Sequence, residues 1–404
     1  MLSVAEAQSR ILAAARPTPA EQISLADAHG RVLAEDIAAR RTQPPTPVSA
    51  MDGYAVRAAD VATVPATLQI VGYAPAGGAH EGALGRGQAV RIFTGGPVPE
   101  GADAIVIQED TASDGKTVTV KESAPKGHYV RPAGLDFRAG DVLLRKGRLL
   151  TARDVGLAAA MNHPWLMVRR RPRVTILATG DEVVMPGDPL GPNQIVSSNG
   201  LGLAAAVRAF GGEPVLLGIA PDDRDALARM AAGAAGSDLL LTTGGASVGD
   251  HDLVQSVLGQ QGLEVDFWQI AMRPGKPLMF GHIGQTMMIG LPGNPVSTLV
   301  CAMLFVQPAL KRMIGLADSE AATVKARLAA PLPKNDRRQD YLRATAEREP
   351  AGGLLVRAFE KQDSSMMAPL AKADCLIVRA PHAEPAPAGA TVDILPMPDG
   401  MARL

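Results

Sequence analysis

Apolar residues near the amino terminus recur at helical spacing. Val4, Ala7, Ile11 and Leu12 follow Ser3, a residue suited to an N-cap with Glu6 three positions on, which predicts a first helix ending near Pro17. A short strand around Ile23 to Leu25 and a further segment from Val32 to Ile37 lead into Gln43-Pro44-Pro45-Thr46-Pro47, a proline-rich hinge. From Ser49 to about Asp141 the pattern becomes short β-branched runs broken by Gly, Pro and Asp (Leu68 to Val71, Ala104 to Ile107, Thr117 to Val120), which predicts a small all-β lobe. Helical spacing returns after Thr151 through Val155, Leu157 and Met161, and this helix is expected to pack back on the first. From Arg171 strand-like runs (Val174 to Ala178, Val215 to Ile219, Leu239 to Thr242, Val265 to Ile270, Met287 to Ile289) alternate with helical stretches, as in a parallel α/β sheet. Beyond Leu316 only short strands follow (Val324 to Leu328, Tyr341 to Thr345, Leu354 to Val356, Cys375 to Val378, Val392 to Leu395), predicting a β-barrel or sandwich. The fold class expected is therefore a multi-domain α/β plus β protein.

Composition narrows the function more than the fold. With 404 residues, 47% apolar and 20% charged, the chain is long enough for several globular domains. Forty Lys and Arg against 41 Asp and Glu lack the basic excess that a nucleic-acid backbone requires, and 3% aromatic residues are too few for base-stacking platforms along a strand. Cys301 and Cys375, far apart and each among apolar neighbours, exclude a Cys-rich zinc site or a disulfide framework and suit a reducing compartment. The longest fully apolar run, Leu299 to Val306, falls short of the roughly 20 residues of a membrane span. No basic, apolar leader opens the chain, so a cytoplasmic location is expected.

In a parallel sheet ligands bind beyond the carboxyl ends of the strands, which directs attention to the loops there. Two of these strands run into Thr179-Gly180-Asp181-Glu182 and Thr243-Gly244-Gly245-Ala246-Ser247-Val248-Gly249-Asp250-His251-Asp252. Glycines admit a phosphate close to free N–H groups, whereas carboxylates repel it unless a hard cation such as Mg²⁺ bridges them. Glu182, Asp252 and Asp222 all fall at this edge, although Asp222 reads equally as a helix N-cap and Asp181 as a turn former. Leu291-Pro292-Gly293-Asn294-Pro295-Val296-Ser297 stands between a strand and a long apolar helix, where Pro295 suits the first helical position and free N–H groups favour an anion, or merely form a rigid turn. Arg273 and Lys276, on the turn Met272-Arg273-Pro274-Gly275-Lys276-Pro277, suit an oxyanion or a solvated surface. Asp52, between Met51 and Gly53-Tyr54, is expected to be partly buried and therefore partnered.

Eight segments in order, SAMDGYA at 49–55, RIFTGGPVPEGAD at 91–103, RPAGLDFRAGD at 131–141, ILATGDE at 176–182, QIVSSN at 194–199, TTGGASVGDHD at 242–252, RPGKP at 273–277 and LPGNPVS at 291–297, resemble the molybdopterin molybdenumtransferase family. Its eukaryotic relatives include the carboxy-terminal domain of gephyrin. The resemblance implies four domains. These are an elongated helical, dimerising one from 1–40 and 142–170, an inserted β lobe at 41–141, an α/β molybdopterin-binding domain at 171–317 and a β-barrel at 318–404. It also implies a homodimer whose site lies between subunits, with Asp52, Thr94, Arg131 and Asp136 supplied by the partner. The implied substrates are molybdopterin adenylate and molybdate, with AMP released. Glu182, Asp222 and Asp252 would hold Mg²⁺ and the pyrophosphate. Arg273, Lys276, Arg343, Ser297 and Ser364 or Ser365 would hold the oxyanions, with Ser247, Pro292 and Pro295 lining the substrate. A molybdopterin adenylyltransferase is the expected transient partner, and neither nucleic acid nor membrane is. The chain departs from many relatives at Gln269, where they carry lysine, and at Lys361-Gln362-Asp363-Ser364-Ser365, where they are richer in glycine. Two rival readings remain, an adenylyltransferase built on the same α/β domain and a gephyrin-like scaffold. The first needs only one domain, and the second a fused oligomerising domain that this chain lacks.

Overall fold

The computed structural model describes residues 1–244, 253–316, 322–350 and 352–397. Backbone contacts divide the chain into two compact units, one of Met1–Glu21, Gly30–Ala34 and Val168–Leu404, the other of Gln22–His29 and Glu35–Met167.

In the first unit a six-stranded sheet runs in the order Glu213–Ala220, Arg173–Thr179, Leu239–Thr243, Thr286–Leu291, Met279–Ile283, Leu263–Phe267. The first four are parallel, but Met279–Ile283 pairs antiparallel with both of its neighbours. The sheet is thus mixed rather than wholly parallel, because the hairpin turn at Gly284 adds a strand that the apolar pattern did not mark. Side chains alternate between faces, as a strand requires. Val174, Ile176, Leu239, Leu241, Met287 and Ile289 meet the helices Asn199–Ala209 and Pro295–Cys301, whereas Leu177, Leu240 and Met288 meet Arg224–Ala231 and Leu253–Gln260.

The helix that begins at Pro295 reaches Met313 through a π-helical stretch, Ala302–Val306. Pro308 has no N–H to give the Leu304 carbonyl, and the Gln8 side chain donates to it instead at 2.9 Å. Gln8 belongs to the first helix, Val4–Ala14, whose Val4, Ala7 and Ile11 are buried in this same core. That helix therefore packs within the α/β unit. Ser3 caps it, accepting from the Glu6 N–H at 3.1 Å. The 19-residue stretch Pro295–Met313 is long and apolar enough to cross a bilayer, yet 78% of it is buried inside the protein, so it is a core helix.

The barrel follows in the same unit. Its strands Gln339–Arg348, Leu354–Ala358, Val324–Leu328, Thr391–Pro396 and Cys375–Arg379 are neighbours in that order, and the last pairs with the first to close it. Ala344, Val356, Cys375, Ile377 and Ile394 fill its interior.

The second unit holds a six-stranded sheet, ordered Ala104–Ile107, Gly53–Val56, Gln88–Ile92, Ala66–Ala74, Thr117–Val120, Thr111–Ser113. Its helix Ala152–Ala160 starts at Thr151 in a full capping box with Asp154. Gly53 has no freedom to carry a side chain, since a Cβ there would lie 2.0 Å from the Val106 carbonyl oxygen.

Candidate active-site cleft

Within the α/β sheet the chain order of the first four positions is second, first, third, sixth strand, so connections leave in opposite directions between Arg173–Thr179 and Leu239–Thr243. A crevice opens at such a switch point. Ala178 is level with Thr243, and Thr243 with Leu291, so the loops beginning at Thr179, Gly244 and Pro292 emerge side by side. The resulting cleft encloses about 680 Å³ and is lined by Thr179, Glu182, Ile195 to Asn199, Thr243, Gly244, Pro277, Pro292 to Pro295, Ser365 and Met367.

Its floor is braced by hydrogen bonds between these loops. Asn199 donates from Nδ2 to Thr243 Oγ1 at 2.9 Å and to the Gly293 carbonyl at 2.7 Å. Thr298 Oγ1 donates to the Pro292 carbonyl at 2.6 Å. The turn at Gly244 takes φ +92°, and a Cβ there would meet the Thr179 carbonyl oxygen at 2.5 Å, so glycine is required on both counts. Two helices begin at this floor: Asn199–Ala209 leaves its first N–H groups without intrahelical partners, whereas in the one opening at Pro295 the proline has no N–H and the Val296 N–H is taken by the Ser364 carbonyl, leaving that of Ser297. Buried Thr179 Oγ1 has no partner among the described residues. Both features favour an anion with acceptor oxygens.

The barrel supplies the facing wall. Arg343 is only 1% exposed, and its guanidinium donates to Gln362 Oε1 at 3.2 Å, to the Met366 carbonyl at 2.9 Å and to the Lys361 and Asp363 carbonyls at 3.3 and 2.9 Å. Burial pushes its pKa down, and the Asp363 charge opposes that. Arg343 thus staples the 361–366 loop instead of pointing into the cleft. The loop in turn grips the helix start, Asn294 Nδ2 donating to Ser364 Oγ and the Val296 N–H to the Ser364 carbonyl. Ser365 lines the cleft, its Oγ bound to Asp363 Oδ1 at 2.7 Å.

The other residues singled out from the sequence fall in several places. Glu182 is exposed and lines the cleft; Asp222 does not line it and gives its N–H to Asp181 Oδ1 at 3.0 Å, so Asp181 acts as the turn former. The N-cap of the following helix is the neighbouring Asp223, which accepts from the Ala226 N–H. Arg273 pairs with Asp340 and with Asp336 at 3.4 Å, which raises its pKa, the Asp340 hydrogen bond foremost. Lys276 is half-buried beside cleft-lining Pro277, and Ser297 is buried at the helix start. Gln269, whose carbonyl accepts from the Leu2 N–H, lies outside the lining. Ser247 and Asp252 lie outside the described residues. Asn199, unmarked as a ligand in the sequence, was signalled by Ser-Ser-Asn directly before a helical apolar run.

A second cluster lies in the β lobe. Asp52 is exposed, not partly buried: it sits at a strand entry where Met51 is exposed as well and the chain turns inward only from Gly53 and Tyr54 on. Its partner is Thr94, whose N–H and Oγ1 both donate to Asp52 Oδ1, at 2.7 and 2.8 Å. These bonds, backbone first and hydroxyl second, hold the carboxyl below its usual range. Arg131 pairs with Val48 in a short antiparallel ladder beside them, and Asp136 gives its N–H to the Gln43 carbonyl; both side chains are exposed. Thr94→Val keeps the backbone donor and removes the hydroxyl, so the Asp52 pKa should rise part of the way toward an ordinary carboxylate. A carboxyl-carbon NMR titration reads this directly. Because the folded value is the depressed one, the stabilisation is complete above the unfolded pKa and lost as pH falls through the folded one, so the variant should differ from the parent least in strong acid.

Comparison with known proteins agrees with this arrangement. Residues 2–162 match the MoeA N-terminal region (domain I and II), 175–312 the probable molybdopterin binding domain and 325–397 the MoeA C-terminal region (domain IV). A molybdopterin molybdenumtransferase of Nostoc sp. is 40% identical over 331 residues, covering 80% of this chain and 76% of its own. That of Haemophilus influenzae is 34% identical over 98% of both chains. A crystal structure of the molybdopterin biosynthesis MoeA protein from Pyrococcus horikosii superposes with a TM-score of 0.86 at 30% identity, covering 98% of this chain and 99% of that one. The chain belongs to the MoeA family of molybdopterin molybdenumtransferases.

Proposed function

We propose that this protein is a molybdopterin molybdenumtransferase of molybdenum cofactor biosynthesis, which inserts molybdate into the dithiolene of molybdopterin adenylate and releases AMP. The observation that carries this reading is the cleft itself. Two helix starts, an orphan threonine hydroxyl and a carboxylate, Glu182, meet a serine-bearing barrel loop at the switch point of a molybdopterin-binding domain. A cleft of this kind suits two anions held against each other, and the reaction needs little else from the protein, because the substrate's own sulfurs become the metal's ligands.

Mg²⁺ fits this donor set. It is ordinarily held by one or two carboxylates together with substrate phosphates and water, and Glu182 is such a carboxylate at the cleft edge. When bound the cation would neutralise charge on the bridging oxygens. The chain's own work is to hold: Asn199 keeps the Thr243 and Gly293 loops at fixed spacing, the helix starts present N–H groups to oxyanions, and the Arg343-stapled loop shields one side. Asp222 and Asp252 are the further carboxylates proposed to act with Glu182 on the cation and the pyrophosphate. We further propose a cytoplasmic homodimer in which Asp52, Thr94, Arg131 and Asp136 complete the partner's site, with Arg273 and Lys276 near molybdate. The rival adenylyltransferase reading leaves residues 2–162 and 325–397 without a role.

The test is AMP release from purified protein given molybdopterin adenylate and Mg²⁺, with and without molybdate, and with an apo-molybdoenzyme to report cofactor. Molybdate-dependent AMP release with activation of the reporter is expected; folded protein that releases no AMP overturns the reading.

A further inference from the structure

We propose that the sheet face beside the Asp52–Thr94 pair seats the pterin ring of the substrate, with Tyr73 as the stacking surface and the Asp52 carboxylate taking the ring's amino edge, a reading that rests on the substrate proposed above. Tyr54, Arg91 and Tyr73 lie directly across from one another on three neighbouring strands, and so share one face. The Arg91 guanidinium stands 5.1 Å from the Tyr54 ring centre and 4.7 Å from that of Phe93. Phe93 in turn meets Tyr73 at 5.1 Å, tilted by 57°. Arg91 is fixed by its bonds to the Gly53 carbonyl and the Gln108 side chain.

The result is a column, Tyr54–Arg91–Phe93–Tyr73, anchored by a buried ring at one end and finished by a Tyr73 ring that is 56% exposed at the other. In a chain with 4 Tyr and 7 Phe, placing two of the former and one of the latter in a single row around an arginine concentrates its scarce aromatic surface at one point. An isolated exposed aromatic needs no explanation, but one oriented by a cation–π column does. Phe93 also precedes Thr94, and Asp52 stands two residues before Tyr54, so the carboxylate and Tyr73 flank the strand that carries the middle of the column, one on either side. Both Thr94 bonds fall on Oδ1 of Asp52, which leaves Oδ2 without a hydrogen bond among the described residues. A pterin's 2-amino group and adjacent ring N–H both donate and match a carboxylate. The adenine edge offers one amino group flanked by ring nitrogens that repel it, so the pterin end of the substrate is the better fit.

The experiment titrates the full-length protein with pterin itself (2-amino-4-hydroxypteridine), followed by its fluorescence, and separately with AMP, followed by calorimetry. Saturable quenching by the parent is expected. Tyr73→Ala should weaken pterin binding about tenfold, within the range for loss of one stacking contact, while Tyr73→Phe stays close to the parent. AMP affinity should not move, and an unchanged melting curve shows that the exposed substitution leaves the fold alone. Absence of saturable quenching, a pterin affinity indifferent to Tyr73→Ala, or a loss confined to AMP each overturns the proposal, the last by assigning the face to adenine. A changed sedimentation coefficient with unchanged pterin affinity overturns it in favour of a protein interface. Binding is read without turnover, so failure of AMP release by the parent would reject the function proposed above and leave this result standing, and the reverse holds equally.

Discussion

Arg343→Met is expected to destabilise the protein by about 3–5 kcal/mol and to remove most of its turnover. Methionine nearly fills the space but offers no donors, so Gln362 Oε1 and the carbonyls of Lys361, Asp363 and Met366 lose a charged partner in a largely dry place. A buried group left unmade costs more than its bond contributed, roughly 1–3 kcal/mol each, and partial access of water to the exposed ends of the loop keeps the total below the sum. The loop would then release Ser364 from Asn294 and from the Val296 N–H, opening the cleft wall. Urea unfolding followed by barrel-specific hydrogen exchange measures the first effect and AMP release the second. Arg343→Lys should recover little of either, because one ammonium cannot reach four acceptors spread over the loop. A loss under about 1 kcal/mol would show that the staple is not needed.

Glu182→Gln should leave stability nearly unchanged, since the side chain is exposed, and lower AMP release by about a hundredfold, the effect of deleting one well-placed electrostatic contact. The Mg²⁺ concentration needed for half-maximal rate should rise together with that loss. A variant with the parent's rate and the parent's Mg²⁺ dependence would remove Glu182 from the site and leave Asp252 and Asp222 as the carboxylates to examine.

Much of this was legible in the sequence, for reasons that differ by residue. The helix starts at Ser3, Thr151 and Pro295 could be placed because capping is local chemistry: a hydroxyl or a ring-locked φ is wanted at a fixed offset, whatever the fold around it. The loops after Thr179, Thr243 and Leu291 could be placed because glycine and proline punctuate strand ends. Strand Met279–Ile283 escaped because Gly281 breaks its apolar run. That glycine is demanded by pairing, since a Cβ there would stand 2.3 Å from the Glu264 carbonyl oxygen. The first helix shows in the sequence which face it buries, but an amphipathic pattern does not name what that face packs against. Arg343, a cation in an apolar strand, is by resemblance an anion ligand, a reading that its sequence neighbours neither support nor oppose. Only the return of the 361–366 loop over it reveals that its acceptors are carbonyls of its own chain.

The barrel loop that Arg343 holds has a consequence for the order of events on the ribosome. The cleft floor is complete in sequence once Pro295 and its helix have been made, but its facing wall needs Ser364 and Ser365, and the strand that closes the barrel on Gln339–Arg348 runs only from Cys375 to Arg379. A nascent chain halted before that closure carries strand ends and helix starts without the wall that shields them. Synthesis proceeds at about 5–20 residues per second, so seconds separate the making of the cleft floor from that of its wall. The sheet's own core takes in Tyr341, Leu370, Leu376 and Leu395 from that late-made part, so the packing behind the cleft and the wall in front of it are completed by the same final stretch of chain.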